Sequence, residues 1–160
     1  ALSDSVSEAV NASAVRTGFQ AELLYQYRLN AHFDLGVGGR VDEETLVQET
    51  PSLEIPTSRK LAIAELTYNF ETIANRDEFL YVSAGAGFGI SETEVSGTVN
   101  TGSALVFPFR VGYAVPFNNE TAFIAELVGE SISATESVEG SGTEQKTTIF
   151  NSKFSLGFRF

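Results

Sequence analysis

The amino-acid sequence predicts an all-β protein, an up-and-down antiparallel β-barrel, from three observations. Apolar and polar or small side chains alternate with period two along most of the chain, which is the side-chain period of a β-strand. Short connections alternate with longer ones that are rich in Gly, Ser, Thr and Glu. No apolar run approaches the ~18–20 residues of a membrane-spanning helix. Strands joined in this way form a meander, which avoids exposed edges by closing into a barrel.

Seven strands follow from the alternation. In the fifth of them, Phe107, Phe109 and Val111 share one face and Arg110 lies on the other. Pro108 lies in the middle of the same strand and lacks a ladder donor, so it predicts a bulge or an edge. The predicted strands span residues 16–29, 32–44, 59–70, 78–91, 102–117, 121–135 and 146–160.

Two segments leave an alternative open. Residues 1–15 alternate poorly, so they form either a weak first strand or a flexible or helical N-terminus. Bacterial single-chain membrane barrels have even strand numbers, so a strand here would complete eight in a single domain of residues 1–160. Residues 58–70 contain good helix formers. We favour a strand for them because a lone helix would break the meander.

The connections are predicted to be of two kinds. The longer ones are acidic, and we interpret their glutamates as a solvated surface because no metal-ligand spacing is visible in them. We predict neither a metal site nor a cofactor. The short connections are residues 30–31, 71–77 and 118–119, and the long ones are residues 43–58, 92–102 and 136–145.

Composition excludes several classes of protein. The formal net charge is −11, which argues against nucleic acid as a partner, because phosphate binding needs clusters of Lys and Arg. The chain has no Cys, so neither disulfides nor thiolate metal sites apply.

Three glutamates interrupt apolar runs, and the alternation places all of them on one face. Glu22, Glu65 and Glu126 each lie opposite their apolar neighbours. Basic residues share this minority face, so most charges have an available partner. We predict an ion-pair network formed by Glu22, Arg28, Arg40, Glu65, Arg110, Glu126, Lys153 and Arg159.

The bulk of the two faces predicts which one is inside. An eight-stranded barrel is only just wide enough for side chains in its interior, and the apolar face carries bulky Phe, Leu, Tyr and Val. The other face combines charges with Gly85, Gly87 and Gly89. We therefore expect a transmembrane β-barrel whose apolar face meets lipid and whose interior is polar.

Aromatic residues crowd next to the short connections. This placement predicts an interfacial girdle at one rim of the barrel. The predicted girdle residues are Tyr25, Tyr27, Tyr68, Phe70, Tyr113, Phe117 and Phe158.

The final strand "FSLGFRF", which ends on Phe160, resembles the C-terminal insertion signature of outer-membrane barrels. With "YVSAGAGFGI", the chain resembles the small eight-stranded OmpA, OmpX and opacity-protein superfamily. The resemblance implies a location in the bacterial outer membrane, with short turns in the periplasm and long loops outside. It also implies contact with lipid, lipopolysaccharide and the barrel-assembly machinery.

The function expected from these features is non-enzymatic. A barrel with a charged, plugged interior would serve envelope integrity, adhesion or surface interaction through its acidic loops, which would bind extracellular ligands. A narrow channel for small solutes or ions is the alternative, and a soluble lipocalin-like barrel is a further one. A lipid-modifying enzyme is disfavoured, because the single histidine, His32, lies at a short turn.

Overall fold

The computed structural model of the protein describes residues 15–49, 52–70, 79–95, 97–116, 122–137 and 144–159. Each strand pairs antiparallel with the next, so the sheet order equals the chain order. The predicted all-β meander is confirmed, and residues 58–70 are strand rather than helix. The seven strands are β1 (Val15–Arg28), β2 (Phe33–Glu49), β3 (Ser52–Phe70), β4 (Phe79–Val95), β5 (Thr98–Pro116), β6 (Ala122–Ser137) and β7 (Glu144–Arg159).

The described sheet is curled but not closed into a barrel. Its strand order has β1 and β7 as edges, each with one hydrogen-bonded neighbour. Their side chains nevertheless meet on the concave side, where Lys153 contacts Gln20. The eighth strand predicted within residues 1–15 lies outside the described residues, except that Val15 begins β1.

Several strands extend beyond their predicted ends. We name the two ends of the sheet by their connections: residues 29–32 join β1 to β2 at the turn end, and β2 meets β3 at the hairpin end. Most of the predicted loops 43–58 and 92–102 is strand. Polar residues outnumber apolar ones in these segments, which weakens the hydrophobic period, but their Thr, Val and Ile residues favour strands.

The connection between β4 and β5 is a tight turn. Val95 pairs with Thr98, so only two positions separate the strands. Gly97 has a φ of 81°, a left-handed conformation that glycine adopts without steric cost. The long acidic loop predicted here is therefore a hairpin.

Pro108 interrupts one ladder without shifting its register. On the β4 side the pairs Ala84–Phe109 and Gly87–Val106 share one register, and the positions between them are unpaired. On the β6 side Pro108 pairs with Glu130. The prediction of a bulge or an edge was wrong, because a central strand accommodates the missing N–H by leaving out a short piece of one ladder.

The convex, exposed face of the sheet is apolar and the concave, buried face is largely polar, which is the reverse of a water-soluble β-sandwich. On the convex face, Leu23 is 81% exposed and Phe150 is 80% exposed. On the concave face, Arg40 is 2% exposed and Glu130 is 4% exposed. The concave face is not uniformly polar, however, since an apolar layer lies towards the hairpin end. This apolar layer consists of Leu61, Ile63, Ala104, Val106, Ile132 and Ala134.

Glycines on β4 leave room for the concave side chains. A Cβ atom at Gly87 would lie 2.6 Å from Val106 Cγ1 and 2.9 Å from Ile63 Cγ1, closer than van der Waals contact allows. Space for the apolar layer therefore depends on glycine at this position.

We expect Gly87→Ala to lower the free energy of unfolding by ~1–3 kcal/mol through overpacking, measured by urea titration with circular dichroism. Gly129→Ala is the control, because a Cβ atom there meets nothing within 4 Å. Adding Val106→Ala to Gly87→Ala should restore part of the loss. Equal effects at the two glycines would contradict the packing argument.

Candidate functional site in the charged interior

Polar and charged side chains on the concave face form four groups, taken here from the turn end to the hairpin end. The turn-end group is Arg28, Asp34 and Asn69, together with His32 from the adjoining turn. The Arg110 group is Glu22, Glu65, Tyr81, Ser83, Arg110 and Glu126. The Arg40 group is Gln20, Arg40, Asp42, Glu130 and Lys153. The hairpin-end group is Glu44, Arg59, Ser91, Thr93 and Glu136.

The Arg110 group brings side chains from five strands to one guanidinium. Arg110 Nη2 lies 2.6 Å from Glu22 Oε1 and 2.8 Å from Glu65 Oε2, and Nη1 lies 3.3 Å from Glu126 Oε2. The Tyr81 hydroxyl donates to Glu126 at 2.5 Å. Three carboxylates therefore surround one cation on the buried face of the sheet.

Ser83 completes the same group from β4. Its hydroxyl donates to Glu65 Oε1 at 2.6 Å, which holds the Glu65 carboxylate in place beside Arg110. Gly85, the ladder partner of Glu65, leaves the space that the Glu65 side chain occupies.

The Arg40 group is balanced in charge. Arg40 donates to both oxygens of Glu130, at 2.5 and 3.0 Å, and to Asp42 at 2.6 Å. Lys153 Nζ lies 2.9 Å from Glu130 Oε1 and also contacts Gln20. Two cations thus meet two carboxylates, and the fork-like Arg40–Glu130 pair connects β2 to β6 across the interior.

The turn-end group is more open to solvent. Arg28 Nε donates to Asp34 at 3.1 Å, although the Arg28 side chain is 67% exposed. Asn69 donates to the other Asp34 oxygen at 2.8 Å. His32 Nδ1 lies 3.2 Å from the Asn69 carbonyl oxygen, and its ring stacks on Tyr68 at 5.7 Å. These contacts give His32 a structural role, which is to hold the turn in place.

The hairpin-end group lies beyond the apolar layer. Arg59 donates to Glu44 at 3.1 Å. Glu136 accepts hydrogen bonds from Ser91 and Thr93, both at 2.8 Å. The interior therefore alternates charged groups with an apolar layer along its length.

The predicted ion-pair residues fall into three of these groups. Glu22, Glu65, Arg110 and Glu126 meet directly, whereas Arg40 and Lys153 belong to the Arg40 group. Arg28 is separate from both, since it pairs with Asp34 at the turn end. The Arg159 side chain lies outside the described residues, as does Phe160.

Several members of the groups were not predicted. Glu130 and Asp42 follow Glu126 and Arg40 at even spacing on the same strands, so extension of the alternation would have found them. The same parity places Tyr81 inside, where it is 5% exposed, although its aromatic character alone suggests the rim. Their partners depended on the three-dimensional register.

Outward aromatic residues lie at the turn end of the sheet. Tyr25 and Tyr27 close β1, and Tyr68 and Phe70 close β3, where their rings meet edge to face at 4.8 Å. Tyr113 lies near the corresponding end of β5, and Phe158 contacts Phe123 at 5.8 Å. Phe117 lies outside the described residues.

No cluster of metal-ligating side chains occurs within the described part of the chain. Over the same residues there is no helix of sufficient length and apolar character to cross a membrane. Comparison of the chain with protein-family models, with curated proteins and with solved structures gave no match. The resemblance to the small outer-membrane barrels therefore stays a prediction.

Proposed function

We propose that this chain is a non-enzymatic β-barrel protein of a bacterial outer membrane, with a plugged interior. The observation that carries the proposal is the inverted polarity of the sheet. Among the residues that the structure describes, twenty-five large hydrophobic side chains are at least 36% exposed, whereas Arg40, Asp42, Glu65 and Glu130 are at most 4% exposed. A contiguous apolar surface of this extent marks an interaction site, and hydrocarbon is the surrounding that fits all strands at once.

The height of the apolar band supports a membrane. On β4 the outward side chains from Leu80 to Ile90 are apolar, and Glu92 follows. On β3 the band runs from Phe70 to Ala62, and Lys60 follows. Such lengths match the ~9–11 residues with which a tilted strand crosses a bilayer. Charged residues above them would lie in the headgroup region or in water.

The proposal requires that β1 and β7 be paired inside the bilayer, because unpaired backbone groups in hydrocarbon cost several kcal/mol each. Both strands run in the same direction, since they are the first and the seventh of a meander. A strand between them must run antiparallel to both. The strand predicted within residues 1–15 is the proposed candidate for this position.

The packing of the interior supports a plug rather than a pore. The Arg40 and Glu130 side chains are 0% exposed, and Val106 and Ile132 are also 0% exposed. Water in a continuous channel would touch such groups. The charged groups and the apolar layer together would therefore block the passage of solutes.

The hairpin end is the proposed surface for partners. Outward glutamates there, including Glu43, Glu92 and Glu94, are exposed on strands rather than on long loops. A rigid acidic rim of this kind fits a role in envelope integrity, adhesion or surface interaction. Lipopolysaccharide and extracellular ligands are the proposed partners at this end, and the barrel-assembly machinery is the proposed partner during insertion.

Extraction of the chain from membranes should require detergent. Folded membrane barrels keep their strands in dodecyl sulfate until heated, so we expect unheated and boiled samples to migrate differently on a gel. A monomer that stays dispersed in buffer without detergent would favour the lipocalin-like alternative and contradict the membrane proposal.

Planar bilayers test the plug. We expect no large, stable open channel from the purified protein. Small conductance steps whose ion selectivity changes in Arg110→Ala would instead support the narrow channel. Val106→Ala serves as a control that shortens an interior side chain without removing a charge.

A further inference from the structure

The Arg110 group holds more carboxylates than cations. Glu22, Glu65 and Glu126 reach it from β1, β3 and β6, and each has an oxygen within 3.3 Å of the Arg110 guanidinium. The hydroxyls of Tyr81 and Ser83 donate to the group but bring no charge. With every carboxylate ionised, three negative charges face one positive charge.

The hydrogen-bond geometry leaves one buried carboxylate oxygen, Glu65 Oε2, without a donor. Arg110 Nη2 carries two hydrogens, and it donates to both oxygens of Glu22, at 2.6 and 2.8 Å. Glu65 Oε2 lies 2.8 Å from the same nitrogen, yet it is buried and has no hydrogen-bond partner. Proximity to a cation alone does not satisfy a buried acceptor. Glu65 Oε2 would be satisfied if it carried a hydrogen and donated it to Glu22.

The neighbouring cations whose side chains the structure describes are engaged elsewhere. Arg40 on β2 and Lys153 on β7 both pair with Glu130, and Arg28 pairs with Asp34. At the level of Glu65, β2 presents Gly36 as the ladder partner. The cations just named therefore leave the charge excess of the Arg110 group in place.

We propose that the Arg110 group is a proton-binding site, in which Glu65 Oε2 carries the proton and donates it to the Glu22 carboxylate. The proton comes from solvent and no other bond breaks. One proton reduces the formal charge of the group from −2 to −1, counted from three carboxylates and one guanidinium. The folded chain therefore gains stability relative to the unfolded chain as the medium becomes more acidic.

The sign of the pH dependence follows from proton counting. Between about pH 7.5 and 5.5 a solvated glutamate in the unfolded chain is ionised, so the folded chain binds one more proton than the unfolded chain. Stability then rises as pH falls, by up to about tenfold per pH unit in the folding equilibrium constant. Carboxylates that are ion-paired in the folded state have a lowered pKa and produce the opposite slope, at pH values below this range.

The experiment unfolds the protein with urea in detergent micelles and monitors the unfolding by circular dichroism. The urea midpoint is measured at several pH values in this range. Glu65→Gln should remove the slope and keep the stability at pH 7.5, because an amide donates to Glu22 and still accepts from Ser83. Glu130→Gln, in the balanced Arg40 group, should retain the slope although it destabilises. Should that control fail to fold, Glu136→Gln of the hairpin-end group replaces it.

Two further measurements separate other sources of the slope. His32→Gln tests whether the imidazole side chain contributes to the slope. Sodium and potassium are varied at constant pH and ionic strength, and a dependence on either ion would show that an alkali cation balances the charge. That result, or a slope that persists in Glu65→Gln, would overturn the proposal. Should the chain fold in buffer alone, the membrane proposal fails but the same titration remains valid there.

Discussion

Arg110→Ala should lower the free energy of unfolding by ~3–5 kcal/mol, the cost of leaving buried charges without a partner. The substitution removes the guanidinium that Glu22, Glu65 and Glu126 share. It also releases β1 from β5, since Glu22 reaches Arg110 across the interior. Urea titration in detergent micelles, followed by circular dichroism, measures the loss.

Two controls separate charge from packing at Arg110. Lys60→Ala removes an exposed cation from the outer face of β3 and should change stability by less than ~1 kcal/mol. Arg110→Met combined with Glu22→Gln, Glu65→Gln and Glu126→Gln should recover most of the loss, because no carboxylate then lacks a cation. A combined variant as unstable as Arg110→Ala would show that packing, rather than charge, dominates.

Glu130→Ala should lower the free energy of unfolding by a comparable ~3–5 kcal/mol. Here the groups left without a partner are cations rather than carboxylates. It leaves Arg40 and Lys153 without their common carboxylate. Arg40 is the more costly of the two, because its side chain is 0% exposed whereas that of Lys153 is 28% exposed. The same titration applies.

Glu94→Ala is the matched control for Glu130→Ala, since Glu94 is exposed on the outer face of β4. Replacement of the entire Arg40 group by apolar residues of similar volume should restore stability, as well-packed hydrophobic substitutes for buried ion pairs often do. A loss below ~1 kcal/mol in Glu130→Ala would mean that water reaches Arg40 and replaces the carboxylate.

Taken together, the expected effects assign different roles to two neighbouring charged groups. Removal of Glu130 unbalances a neutral group and destabilises at every pH. Glu65→Gln replaces the proposed protonated carboxyl with an amide and should leave stability at pH 7.5 unchanged. Only the partner geometry distinguishes these glutamates, because both are inward on a strand and both are at most 4% exposed.

Periodicity alone predicted the meander and its two faces. Phe107, Phe109 and Val111 are all exposed and Arg110 is buried, as the alternation indicated. A period of two is a local property of the backbone, so it can be read without knowing which strands pair. Around Glu65 the local pattern was ambiguous, and the flanking strands of the meander correctly favoured strand over helix.

Periodicity did not predict that the strands continue to the hairpin end of the sheet. Thr45 and Glu54 lie in parts of β2 and β3 where polar residues outnumber apolar ones, so the apolar period is weak and the composition resembles that of a loop. Backbone pairing between β2 and β3 carries the strands onward in the absence of an apolar face. Propensity of β-branched residues was the available signal, and it is weak.

By itself, the sequence determined the strand class, the inward position of the charges and the outward position of the bulky apolar side chains. Each of these depends on residue type and parity within one strand. The tertiary structure decided the partners: that three carboxylates share Arg110, that Glu130 joins Arg40 to Lys153, and that an apolar layer fills the hairpin half. These contacts join residues as far apart as Glu22 and Arg110, and they depend on the stagger and curl of the whole sheet, which no single strand encodes.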